Sequence, residues 1–159
     1  MRMKVSFLML CLWFGSVAAQ TIPADREALL NGEGMGQASY AETNGYPGPK
    51  HVLELKSELN LTPDQTKKAQ VIVQGMTSAA TIKGEEIVEA EEELHSAFKA
   101  GTVNEKQLRA KLERIGKLRG ELRFAHLQAH LKMKQILTPN QIAKYNELRG
   151  QTEAKHEGH

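Results

Sequence analysis

The sequence predicts an all-α protein in which two long helices form an antiparallel hairpin and two short helices flank it, four helices in total. Three observations predict this fold. Apolar residues recur three and four positions apart over two stretches of about 30 residues or more. Two similar helix-start sequences occur, at residues 61–65 and 137–141. No stretch of useful length alternates apolar and polar residues as a half-buried strand does.

Residues 1–19 are typical of a secretory signal peptide. Arg2 and Lys4 make the start positive, residues 5–14 form an apolar run of about ten residues, and small residues precede Gln20. A helix that spans a bilayer needs about 20 apolar residues, so this run is too short to do so. We therefore predict an exported protein that does not insert into the membrane.

Export changes the charge and cysteine content of the chain. The 159 residues carry a formal net charge of +2 and one Cys. The leader holds Arg2, Lys4 and Cys11, so the remaining 140 residues carry 19 basic and 19 acidic residues and no thiol. A neutral mature chain, cut from a sequence with only 5% aromatic residues, is a poor candidate for nucleic-acid binding, which needs many cationic contacts or stacking platforms.

Residues 20–48 are predicted to form a flexible, Gly-rich arm, because they hold many glycines and little apolar periodicity. A helical domain is predicted over residues 49–150. Its first, short helix begins at Pro49 and buries Val52, Leu55 and Leu59.

The first long helix has a complete start signal. Thr62 is suited to the N-cap, Pro63 to the first helical position and Gln65 to a capping box. An apolar stripe then continues for about 35 residues until residues 100–104, where Gly101 indicates a helix end.

The second long helix carries an apolar stripe from Leu108 to Ile136. The start signal then repeats, with Leu137, Thr138 and Gln141 in the positions of Leu61, Thr62 and Gln65. A short helix ending near Gly150 and a polar, His-containing tail at 151–159 complete the chain. Because so thin a hairpin has little interior, we expect a homodimer.

The paired LTxxQ motifs, the leader, the length and the helix order resemble the Spy/CpxP family. The resemblance covers residues 49–150. It implies a periplasmic, cradle-shaped dimer that acts in envelope stress, either as an ATP-independent chaperone for unfolded or misfolded envelope proteins or as an inhibitor of a sensor kinase. Relatives also include zinc-resistance-associated proteins and nickel/cobalt sensors, so a metal-binding sensor or resistance protein is the alternative. For the LTxxQ residues, the resemblance implies a role as helix caps and not as a binding site.

His126 and His130 are the candidate metal ligands. Their spacing of four places both imidazoles on one helix face, within reach of a single Zn²⁺, Ni²⁺ or Co²⁺. Met133 is a candidate third ligand, and His156 and His159 could add donors from the tail. The structural alternative is a pair of half-exposed histidines on a solvated face. We expect no required cofactor.

Charge is segregated between the two long helices. Residues 85–93 hold six Glu and no basic residue, whereas residues 106–134 are mostly basic. Cross-helix pairing with Lys111, Arg114 and Lys117 explains part of this pattern. The remaining basic and apolar residues form a candidate client surface: Arg119, Arg123, Phe124, Leu127, Lys132 and Lys134.

The sequence does not indicate an enzyme. It has no Ser/His/Asp or Cys/His arrangement, no HExxH and no strand that leads into a phosphate-binding glycine loop.

Overall fold

The computed structural model describes residues 22–156, with side chains over residues 22–150. In this part of the chain there are six helices and no strands, so the all-α class is confirmed and the predicted count of four helices is not. The helices are α1 (Arg26–Leu30), α2 (Ser39–Thr43), α3 (Pro49–Glu54), α4 (Pro63–Lys99), α5 (Glu105–Ile136) and α6 (Pro139–His156). None of the described helices is both long enough and apolar enough to cross a bilayer.

Helices α4 and α5 form the antiparallel hairpin. The chain turns at Gly101, which has a φ of +64°, a conformation that glycine adopts without a Cβ penalty. Asn104 then caps α5 in a capping box with Gln107. Across the hairpin, Glu93 accepts from Arg114 at 2.9 Å and from Lys111 at 3.3 Å, so the acidic run lies beside the basic residues that the sequence predicts.

Two apolar clusters fill the hairpin at different heights. The first lies towards the Gly101 turn and contains Leu29, Ala80, Ile87, Val88, Ala90, Ile115, Leu118 and Leu122. The second lies at the open end and contains Val52, Leu59, Ala69, Met133, Leu137 and Tyr145. Neither cluster includes Met76, His126 or His130, which are nonetheless buried. Between the two apolar clusters the hairpin interior therefore contains polar imidazole side chains.

The predicted flexible arm is the main difference between expectation and structure. Residues 22–48 form α1 and α2, and α1 packs on α4. The Leu29 side chain is 1% exposed and belongs to the first core cluster. Leu29, together with the ion pairs Arg26–Glu92 and Asp25–Arg119, holds a segment that has no periodic stripe. Composition alone therefore predicts mobility here.

The two ends of the chain differ in what the structure describes. The predicted signal peptide, residues 1–19, lies outside the described residues. Helix α6 continues beyond Gly150 to His156, so it enters the segment for which a polar tail is predicted, and His159 lies outside the described residues.

Candidate functional site

The LTxxQ motifs form two capping boxes of the same geometry. At the start of α4, the Gln65 backbone N–H donates to Thr62 Oγ1 at 3.1 Å and the Thr62 N–H donates to Gln65 Oε1 at 3.0 Å. At the start of α6, the Thr138 N–H donates to Gln141 Oε1 at 2.9 Å and the Gln141 N–H donates to Thr138 Oγ1 at 3.3 Å. Each box satisfies two backbone donors that a helix start leaves open.

The two motifs also bond to each other. Gln65 Nε2 donates to Gln141 Oε1 at 2.8 Å, and Gln141 Nε2 donates to Gln65 Oε1 at 3.0 Å. The remaining amide protons reach the backbone carbonyls of Ile136, at 2.9 Å from Gln65 Nε2, and Leu59, at 3.2 Å from Gln141 Nε2. The glutamines therefore join the start of α4 to the end of α5 and the start of α6 at the open end of the hairpin.

The arm covers one face of α5 with charged and aromatic contacts. Arg119 Nη1 donates to Asp25 Oδ2 at 2.8 Å, and its Nη2 donates to Glu91 Oε1 at 3.1 Å. The Arg123 guanidinium carbon lies 5.7 Å from the centre of the Tyr40 ring, and Lys134 Nζ lies 3.6 Å from the centre of the Tyr46 ring. Both are cation–π distances.

These contacts divide the predicted client surface. Three of its four basic residues (Arg119, Arg123 and Lys134) are engaged by the arm. Of the other members, Phe124 and Lys132 are exposed and Leu127 is half-buried. The part of α5 that the arm contacts therefore does not present a continuous basic patch, because Asp25, Tyr40 and Tyr46 engage its cations.

Asp25 makes arm docking dependent on pH. The hydrogen bond from Arg119 lowers the pKa of the Asp25 carboxyl below its ordinary value of 3.8. Because the folded-state pKa is the lower one, the pair stabilises the docked arm above the ordinary pKa, and this stability is lost as the pH falls through the lowered pKa. We expect hydrogen-exchange protection of residues 26–30 to decrease below about pH 4 in the wild type, after correction for intrinsic exchange rates.

The matched variants for this measurement are Asp25→Asn and Glu27→Gln. Asp25→Asn removes the carboxylate that Arg119 contacts, so protection should be low already at pH 7 and change little on acidification. Glu27→Gln alters an exposed acid of the same helix and should keep the wild-type pH profile. Equal profiles for Asp25→Asn and the wild type would contradict the assignment.

A cavity of about 260 Å³ lies between the arm and the hairpin. The arm contributes the turn Gly34–Gly36 and the start of α2, α3 contributes Lys50 and His51, α4 contributes Met76, and α5 contributes His126 and His130. Along the hairpin axis, the cavity lies between the two core clusters.

His126 lines this cavity and has one ring nitrogen without a partner. The residue is 4% exposed, and its Nε2 atom is buried without a hydrogen-bond partner. Two ring atoms lie 3.6 and 3.7 Å from the position of a Cβ on Gly34, so the arm backbone closes over the imidazole. Burial, with Lys50 and His130 nearby, lowers the pKa of His126 and favours the neutral ring, the form that binds metals.

His130 has a defined tautomer. Its Nδ1 atom lies 2.9 Å from the Tyr46 carbonyl oxygen, which can only accept, so Nδ1 carries the proton and Nε2 is the nitrogen with the lone pair in the neutral ring. A backbone carbonyl commonly holds a metal-binding histidine in this way. The structure thus places both predicted histidines, which are 4% and 6% exposed, in the interior rather than on a solvated face.

The third predicted ligand, Met133, does not line the cavity. It is 0% exposed and packs in the second cluster. Two other methionines line the cavity instead, Met35 from the arm and Met76 from α4. Within residues 22–150, no three His, Cys, Asp or Glu side chains are grouped closely enough to hold a metal ion.

A polar network adjoins the cavity. His51 Nδ1 lies 2.7 Å from Glu42 Oε1, the Tyr145 hydroxyl donates to the same oxygen at 3.2 Å, and the Gly48 N–H donates to the hydroxyl at 3.1 Å. The bond with His51 lowers the pKa of Glu42, and burial raises the pKa of Tyr145 to about 12. The network ties α2 and α3 to α6.

Comparison with known proteins agrees with this geometry. A family model described as LTXXQ motif family protein matches residues 48–149, a range that contains both capping boxes and both long helices. No curated protein and no solved structure matches the chain. The matched range covers more than half of the chain, and it confirms the resemblance noted from the motifs. The chain belongs to the LTXXQ motif family, which includes the Spy/CpxP and zinc-resistance-associated types.

Proposed function

We propose that this protein is a periplasmic, ATP-independent chaperone or envelope-stress adaptor that binds unfolded or misfolded envelope proteins as a homodimer, with a sensor kinase as a further candidate partner. Proteins of its family are generally periplasmic. The observation that carries the proposal is a set of large apolar side chains, half exposed or more, on the long helices: Val71, Ile82, Phe124 and Leu131.

Spacing along each helix places its two exposed apolar side chains on one outer face of that helix. Val71 and Ile82 are separated by 11 residues, or about three turns, and Phe124 and Leu131 by seven, or about two turns. Ile82 and Phe124 each follow a buried residue by two positions, which rotates the side chain by about 200° away from the core. The hairpin therefore presents apolar groups opposite its interior, where an unfolded chain or a second copy can contact them.

Client contact through this face predicts a defined loss on substitution. Phe124→Gln and Leu131→Gln keep helix-forming residues and remove the apolar contact. Partial burial of each side chain contributes about 1 kcal/mol, so we expect each variant to need about fivefold more protein to suppress aggregation of a denatured client without ATP.

Leu112→Gln is the matched control, because Leu112 and Leu131 are both 50% exposed but lie about 100° apart around α5. Light scattering of all three variants separates a loss of client contact from a loss of the dimer. Failure of the wild type to suppress aggregation at severalfold excess, with and without chelator, would overturn the proposal.

A metal-binding sensor or resistance protein is the second candidate function. The unsatisfied Nε2 of His126, buried at the cavity, favours it, and the Nδ1-protonated tautomer of His130 supplies a second nitrogen lone pair beside the same cavity.

A further inference from the structure

We propose that the cavity between the arm and the hairpin is a Cu(I) site, with Met35, Met76 and His126 as ligands and His130 as a fourth donor. This inference rests on the second candidate function and specifies its metal. It departs from the Zn²⁺, Ni²⁺ and Co²⁺ that the sequence analysis considers.

The donor set selects the metal. The described residues contain three methionines, and two of them, Met35 and Met76, line the same cavity as His126 and His130. Thioethers are soft ligands that favour Cu(I), and imidazole also suits copper. Zn²⁺ requires about four nitrogen, oxygen or thiolate ligands, and no group of three such side chains occurs among the described residues. Cu(I) accepts linear and trigonal coordination, so two thioethers and one imidazole suffice.

The buried nitrogen of His126 points independently to a ligand. A buried polar atom without a partner costs about 1–3 kcal/mol, and native structures contain few. His126 Nε2 is such an atom, and it belongs to a side chain that lines the same cavity as Met35 and Met76. A soft monovalent cation would satisfy the nitrogen.

The backbone at Met35 adds a third observation. Met35 has a φ of +44° between Gly34 and Gly36, a left-handed conformation that costs a non-glycine residue about 1–2 kcal/mol. A glycine would relieve this strain, so Met35→Gly should leave the fold intact or slightly more stable. The methionine is the one side chain beyond a hydrogen in this turn, and the residue lines the cavity while remaining 42% exposed.

The arm therefore completes the site. Met35 comes from the arm, Met76 from α4 and the imidazoles from α5, so metal binding joins three segments that are distant in sequence. Cu(I) should accordingly increase hydrogen-exchange protection of the arm around residues 34–36, and the increase should be lost in Met35→Gly.

Competition for Cu(I) tests the proposal. Untagged full-length chain with Cys11→Ser, which removes the sole thiol, is titrated anaerobically with Cu(I) against bicinchoninate. We expect one equivalent of Cu(I) to be withheld from the indicator. Met35→Gly and Met76→Leu should weaken binding by at least about tenfold, the smallest loss typical even of outer-sphere partners.

Met133→Leu is the matched control for Met76→Leu, since both methionines are buried in the hairpin and only Met76 lines the cavity. The proposal is overturned if the indicator takes all the Cu(I), or if Met35→Gly and Met76→Leu bind as the wild type does. Parallel titrations with Zn²⁺, Ni²⁺ and Co²⁺ distinguish failure of the Cu(I) site from failure of the metal-binding function. Binding of one of these that requires His126 and His130 but not the methionines would retain the metal-binding function and reject the Cu(I) site.

Discussion

Replacing Gln65 by Ala is expected to lower the free energy of unfolding by about 3 kcal/mol, whereas replacing Gln107 by Ala lowers it by about 1 kcal/mol. Both glutamines occupy the third helical position of a capping box, and each accepts from the N-cap backbone N–H, at 3.0 Å for Gln65 and 3.1 Å for Gln107. The local bond is therefore matched, and its loss costs about 1 kcal/mol in each case.

The difference arises from the contacts that Gln65 makes across the molecule. Its Nε2 donates to the Ile136 carbonyl at 2.9 Å and to Gln141 Oε1 at 2.8 Å, whereas the Gln107 side chain bonds within its own cap, where Oε1 accepts from the Asn104 N–H at 3.1 Å. Truncation of Gln65 removes a donor from the Ile136 carbonyl and both bonds between the two glutamine amides in a partly buried position, which adds about 1–3 kcal/mol. Urea unfolding at one fixed protein concentration, with comparison of midpoints at unchanged m-value, measures the effect.

A double-mutant cycle identifies the reciprocal pair. If Gln65 and Gln141 act as one unit, the loss in Gln65→Ala/Gln141→Ala should be smaller than the sum of the single losses by about 1–2 kcal/mol. Additive losses, or equal losses for Gln65→Ala and Gln107→Ala, would mean that the two motifs act only as separate helix caps.

Local sequence signals predict the long helices well and the joints between segments poorly. The capping boxes at Thr62 and Thr138 involve residues three positions apart, so each can be recognised within its own motif. The Gln65–Gln141 pair joins residues 76 positions apart, and nothing in either motif reveals the partner. One signal was available: both motifs flank an antiparallel hairpin, so both must lie at its open end.

The cavity illustrates the same limit. The spacing of His126 and His130 places both rings on one side of α5, but their burial depends on the arm, whose α1 and α2 have only five residues each and no periodic stripe. Met133 was the plausible third ligand by spacing, yet it lies on the central core stripe. Met35 and Met76 are 41 residues apart in sequence, so only the tertiary structure brings them to one cavity.

Gly84→Ala is expected to detach the N-terminal arm from the hairpin. A Cβ at position 84 would overlap the backbone carbonyl group of Leu29, which cannot move aside as a flexible side chain can. Leu29 is 1% exposed, and its burial contributes about 2 kcal/mol. We therefore expect hydrogen-exchange protection of residues 26–48 to decrease by about 30-fold, with protection of the rest of α4 and α5 retained.

Gly75→Ala on the same helix is the matched control. A Cβ at position 75 has no atom within 4 Å, and alanine favours a helix interior over glycine by about 1 kcal/mol, so this variant should be more stable and keep the arm docked. The two variants make the same Gly-to-Ala change on the same helix, and their stability changes are expected to have opposite signs because only position 84 contacts Leu29. Equal hydrogen-exchange protection of the arm in both variants would show that α1 does not hold the arm. If protection is lost only in Gly84→Ala, Arg119 becomes exposed, and the proposed chaperone should then bind acidic clients more tightly.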